Sequence, residues 1–151
     1  MKKYLLLIFS LSLLTLVAFG HPPAPDLWGL FAKTRFVEKL NRKLSMYFLY
    51  PAFPEELKAL EGKEVELTGF HIPLEITDSK MVILSKFPMA ECFFCGGSGP
   101  ESVAVVYLHD KPGKRLRMDD IIRVRGKLML NEHDVDELNF IIKDAKIISY
   151  E

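Results

Sequence analysis

Lys63-Glu-Val-Glu-Leu-Thr-Gly-Phe-His-Ile72 and Asp120-Ile-Ile-Arg-Val-Arg-Gly-Lys-Leu-Met-Leu130 decide the fold. In the first, Val65 and Leu67 fall on one face while Glu64, Glu66 and Thr68 fall on the other. Such a period-2 pattern belongs to a strand with one face on a core and one in water. Both stretches carry an internal glycine, Gly69 and Gly126. A glycine inside a strand marks a bulge or a sharp bend at a barrel corner.

Three further strands are read around these two: Met81–Leu84, reached over a turn through Thr77, Asp78 and Ser79; Val103–Leu108; and Phe140–Ile148. Five strands in about ninety residues, two of them with a central glycine, predict a mainly β domain over residues 60–151. The echo of Val65-x-Leu67-x-Gly69 in Val124-x-Gly126-x-Leu128 points to a small five-stranded, OB-like Greek-key barrel. Closure removes the free sheet edges that invite aggregation. An open sheet or small sandwich is the alternative.

Residues 21–59 form an N-terminal appendage. Phe36, Leu40, Leu44 and Phe48 recur at a helical spacing. Against a helix, Asn41-Arg-Lys43 has turn character, and Ser45-Met-Tyr-Phe-Leu-Tyr50 favours a strand up to Pro51. A β-hairpin laid against the barrel is the reading adopted over a helix. Pro54–Leu60 reads as one or two helical turns, with Glu55 and Glu56 in the first and Gly62 beyond the end.

Residues 1–20 have the three parts of an export signal: Lys2 and Lys3, an apolar run from Tyr4 to Phe19, and small residues at Ala18 and Gly20. The run is shorter than the roughly 20 residues that span a bilayer. The expected location is the periplasm of a Gram-negative-type bacterium, with membrane contact only transient, through the signal. His21-Pro-Pro-Ala-Pro25 would then be an extended lead-in. Without residues 1–20 the chain carries 18 basic and 20 acidic residues, a net charge of −2. That balance offers no footprint for nucleic acid. The basic run Lys111, Lys114, Arg115 and Arg117 is followed by Asp119 and Asp120, and reads as a solvated loop.

Chemistry concentrates in Ala90-Glu-Cys-Phe-Phe-Cys-Gly-Gly-Ser-Gly-Pro-Glu-Ser102, which holds both cysteines, Cys92 and Cys95. Three readings stand side by side. The pair can close a disulfide, structural or redox-responsive, because two thiols in one short loop outside the cytosol tend to be oxidised. Alternatively the pair is half of a soft-metal site for zinc or copper, with histidine as the other half: His109 and His133, with His71 the remaining choice. Or the loop is a partner-recognition surface, with Phe93, Phe94 and Glu101 as contact residues. The plainer expectation for the two rings is that one plugs the barrel end and the other packs under the hairpin.

A thiol–disulfide enzyme on Cys92 and Cys95 is the rival function. Gly96-Gly97 follows the pair, however, where a catalytic dithiol needs the start of a helix. Motifs for a serine hydrolase, a zinc protease or a phosphate-binding loop are missing from the sequence. Asn131–Glu137 gathers four carboxylates and His133 without calcium-loop spacing, and reads as the turn between the last two strands.

Gly69-Phe-His-Ile-Pro-Leu74, Met81-Val-Ile-Leu-Ser85, Cys92 in its Gly/Pro loop and Ser102-Val-Ala-Val-Val106 together resemble a family of exported bacterial proteins of unknown function with an OB-like fold. The likeness spans about Leu60 to Ile148. It is greatest to a Bacteroidetes-type branch with C-F-F-C-G-G-x-G-P-E-S where other members have C-x-H-x-P-P-P-P. The resemblance implies a periplasmic accessory role without catalytic activity. An envelope protein partner is implied with it, some members being encoded beside ABC-type export systems. Cys92 matches the family's cysteine, Phe94 stands where the family has histidine, and Cys95 lies one residue further on. The expectation is therefore a non-enzymatic OB-fold accessory module that binds a partner protein or soft metal through the Cys92–Ser102 loop.

Overall fold

The computed structural model describes residues 25–74 and 79–151. The export signal, His21 and the residues Thr77 and Asp78 of the expected turn lie outside the described residues. Among those described, no helix is long and apolar enough to cross a membrane.

The chain runs α1 (Leu27–Phe31), β1 (Arg35–Asn41), β2 (Met46–Ala52), α2 (Glu55–Lys58), β3 (Glu64–Ile72), β4 (Met81–Ser85), β5 (Val103–Leu108), β6 (Ile121–Leu130) and β7 (Phe140–Tyr150). Strands β3–β7 close into a barrel in the order β3-β4-β5-β7-β6, so the OB-like expectation holds. All neighbours are antiparallel except β5 and β7, whose parallel pairing is the crossover step. The register shifts on both sides of the Val124–Arg125 segment, the second shift spanning Gly126, as expected of a mid-strand glycine. At Gly69 a side chain would strike the Ser85 carbonyl of β4, so here the requirement is close approach of two backbones.

Alternation assigns the faces. Val65, Leu67, Val82, Leu84, Ala104, Val106, Val124, Leu128 and Ile142 form one continuous core inside the barrel. Phe140 caps it, stacked on Phe31 with ring centroids 4.1 Å apart and meeting the edge of Phe53 at 5.6 Å. The ring plug therefore comes from α1, Phe53 and β7, and not from Phe93 or Phe94. Helix α1 is a feature that the alternation did not disclose. Asp26 caps it by accepting a hydrogen bond from the Gly29 N–H, and the Trp28 indole donates to the Thr68 carbonyl at 2.7 Å.

The β1–β2 hairpin is present as read, but it forms its own two-stranded sheet and is largely exposed on both faces. Its base meets the barrel domain through Phe36, which packs on the core, and through Phe48–Pro51, which share a hollow with the β6–β7 connection, while the residues near its tip are exposed. Strand β2 also continues through Pro51 to Ala52. A two-stranded ribbon has free edges, where a residue without an N–H is tolerated.

Candidate functional site

The residues of β4 and β5 that point away from the barrel core, Ile83 and Val105, are buried too. With Ile72, Ile141 and Cys92 they make a second apolar cluster, flanked by Met81, Met89, Met129 and Leu138. The β4–β5 connection thus folds over the outer face of the barrel, and Cys92 is the side chain by which it is seated. The loop is a lid on this face as well as a rim.

Local chemistry explains the course of the loop. Met89–Glu91 and Phe93–Cys95 are single 3₁₀ turns joined at Cys92, whose backbone is extended. The Cys92 carbonyl accepts the N–H groups of both Cys95 (3.1 Å) and Gly97 (3.2 Å), which curls the chain around it. Gly96 takes a left-handed conformation, φ +78°, and a side chain at Gly97 would fall 2.6 Å from the Glu91 carbonyl oxygen. The Met89 N–H donates to Asp119 Oδ1 at 2.7 Å, tying the loop to the β5–β6 connection. At the far end Ser102, buried, donates its hydroxyl to the Gly99 carbonyl, and the Lys86 N–H donates to the Ser102 carbonyl.

This frame carries three sulfurs within seven residues. Cys92 Sγ lies 4.0 Å from Met89 Sδ, and the exposed Cys95 thiol is near enough to Cys92 to be perturbed by it. Both cysteines are unbridged. Partial desolvation, followed by the nearby Cys92 thiol, pushes the Cys95 thiol above its ordinary pKa. This is the reverse of an activated dithiol, in which an exposed first cysteine at a helix N-terminus has a lowered pKa. Here the first cysteine is buried and the turn that follows is three residues long.

Alkylation separates the two thiols. In the folded protein iodoacetamide is expected to label Cys95 and spare Cys92, with the Cys95 rate still climbing above pH 8.5 because the thiolate is the reactive form. Equal labelling of both, measured by mass spectrometry, would contradict the buried placement of Cys92.

The histidines proposed as the remaining ligands are not brought to the cysteines. His109 follows β5, a strand of about 20 Å at 3.3 Å per residue from the loop. Its ring meets Asp110 at 3.0 Å and holds that carboxyl below its usual range. His133 is exposed in the β6–β7 connection beside Glu132, lining a hollow with Phe48, Leu49 and Tyr50. His71 Nδ1–H donates to the Arg117 carbonyl, 2.9 Å away, and the ring borders an open cleft with Lys111, Lys114 and Arg115. Among the described residues no group of three or more His, Cys, Asp and Glu side chains is placed to hold a metal ion. Met89 offers a thioether donor that no histidine is placed to replace. Its signal was in the chain as a three-residue repeat of sulfur, Met89-x-x-Cys92-x-x-Cys95.

Phe93 is half-buried and Phe94 is 40% exposed, and their rings meet edge to face at 5.5 Å. Neither ring belongs to either apolar cluster. The Glu101 carboxylate folds back over Gly99 inside the loop. No family model matches the chain, and neither does any curated protein.

Proposed function

We propose that the chain is a non-enzymatic accessory module of the bacterial envelope that holds a soft metal ion, Cu(I), on Met89, Cys92 and Cys95. The observation that carries this reading is the pair of sulfurs on Met89 and Cys92, 4.0 Å apart in one braced loop, with the Cys95 thiol perturbed by Cys92 beside them. Two sulfurs bound to one ion at about 2.3 Å in a trigonal plane are about 4.0 Å from each other. Thiolate and thioether donors select Cu(I), whereas structural Zn²⁺ asks for a fourth ligand. Both thiols would give up their protons on binding, so uptake strengthens as pH rises. Export rests on the three-part segment 1–20. A thiol–disulfide enzyme is disfavoured by the buried first cysteine and the missing helix.

Anaerobic titration with Cu(I) against a chromophoric chelator tests the reading. The expected result is one ion per chain, abolished in Cys92→Ser and Cys95→Ser and weakened roughly tenfold or more in Met89→Leu. Circular dichroism of Met89→Leu, a volume-conserving change, reports whether its fold is kept. Uptake unaffected by Met89→Leu would remove the third ligand, and failure of the wild type to take up Cu(I) with both thiols free would remove the site.

A further inference from the structure

The β1–β2 hairpin is the most apolar exposed feature of the described residues. Tyr47 is 65% exposed, Met46 59% and Leu49 55%, with Leu40 and Leu44 close behind. The pairing register places Leu40 opposite Tyr47 on one face and Asn41 opposite Met46 on the other. Apolar groups therefore project from both faces near the turn. A protein partner covers one face of a ribbon; a medium that surrounds the ribbon covers both.

Charge identifies the medium. Residues 35–52 carry Arg35, Lys39, Arg42 and Lys43 against Glu38 alone, a net of +3 in a chain whose formal total is zero. Arg42, Lys43, Leu44 and Ser45 form the turn itself, between β1 and β2. The acidic β6–β7 connection lies against the base of the hairpin, where Glu132, Asp134 and Glu137 share a hollow with Phe48–Pro51. The ribbon is thus polarised, basic and apolar at the tip and acidic beside the base. Basic residues interleaved with Leu, Met and Tyr are the composition of an interfacial membrane element. The tip is also pre-shaped: Asn41 Oδ1 accepts the N–H groups of Lys43 (3.1 Å) and Leu44 (3.2 Å), and Asn41 Nδ2 donates to the Tyr50 hydroxyl.

We propose that the hairpin docks the protein on an anionic lipid bilayer, with Leu44, Met46 and Tyr47 entering the interfacial zone and Arg42 and Lys43 resting on the headgroups. This placement stands independently of the sulfur site.

A Tyr47→Trp variant reads the tip directly, because the native Trp28 is held to Thr68 and supplies a constant background. Vesicles of phosphatidylcholine containing phosphatidylglycerol are expected to shift the new emission to the blue, and added salt to reverse the shift. Pure phosphatidylcholine vesicles are expected to leave it unchanged. Adding Arg42→Gln and Lys43→Gln should weaken the response about 30-fold, from two headgroup contacts of about one kcal/mol each. Unchanged emission on the anionic vesicles would overturn the proposal. So would an equal shift on neutral vesicles, or a lipid-free shift that grows with protein concentration, which would assign the hairpin to a second copy of the chain.

Discussion

Phe140→Ala is expected to destabilise the protein by roughly 3–5 kcal/mol, a large part of the 5–15 kcal/mol that holds an ordinary domain folded. Phe140 is fully buried at the first position of β7 and touches both Phe31 and Phe53. Truncation removes its own burial and leaves a cavity bounded by two rings from elements outside the barrel. Neither α1, with five residues, nor the Phe53 segment can follow the missing ring inward without losing its own anchors: the Trp28–Thr68 hydrogen bond on one side and the packing of Leu57 on the other. Urea denaturation should therefore show a much lower midpoint at unchanged slope. Phe94→Ala, on a side chain outside both clusters, should stay within about 0.5 kcal/mol. A loss below about 1 kcal/mol for Phe140→Ala would mean that α1 does not seal the barrel.

The second large effect comes from the smallest change. Gly126→Ala adds one methyl group, whose carbon would sit 2.7 Å from the Lys143 carbonyl oxygen and 2.9 Å from Ala145 Cα. Both are backbone atoms of β7 and cannot rotate away. The two strands must separate at the register shift that lets β6 bend, or the bend must be lost. Overpacking of this kind costs about 1–3 kcal/mol, and backbone contacts place this site at the upper end. Gly113→Ala is the matched control, since its methyl would meet only the Tyr150 hydroxyl at 3.7 Å. A thermal midpoint in Gly126→Ala equal to that control would contradict the tight β6–β7 crossing.

Much of the barrel was legible because water writes alternation into strands that have one wet face. Glu64–Ile72 and Ile121–Leu130 alternate along most of their length, and their boundaries were read to within a residue or two. Val103–Leu108 does not alternate, and it is buried on both faces because the cysteine loop covers its outer side. That continuous apolar run was the available clue to the cover, though it does not say what supplies it. Helix α1 escaped because five residues complete too little of a helical period to register, and only its Asp26 cap marks it.

The site was legible in part for a different reason. Adjacency in sequence guarantees that Cys92 and Cys95 share a loop, but nothing in the sequence reports which distant histidines a barrel will bring near. No local feature ties His109 or His133 to the pair, and the topology carries both elsewhere. Met89 needed no long-range knowledge. A methionine next to an apolar stretch is most often core, and here it is both a neighbour of the outer cluster and 4.0 Å from Cys92. The hairpin was recognised from its aromatics, whereas its exposure follows from tertiary placement alone.

X-ray absorption at the copper edge, on the Cu(I)-loaded protein prepared without oxygen, examines the sulfur site most directly. Three sulfur neighbours at about 2.3 Å and no imidazole scattering are the expected spectrum. Nitrogen neighbours with the outer-shell pattern of histidine, or a two-sulfur site unaltered by Met89→Leu, would contradict it.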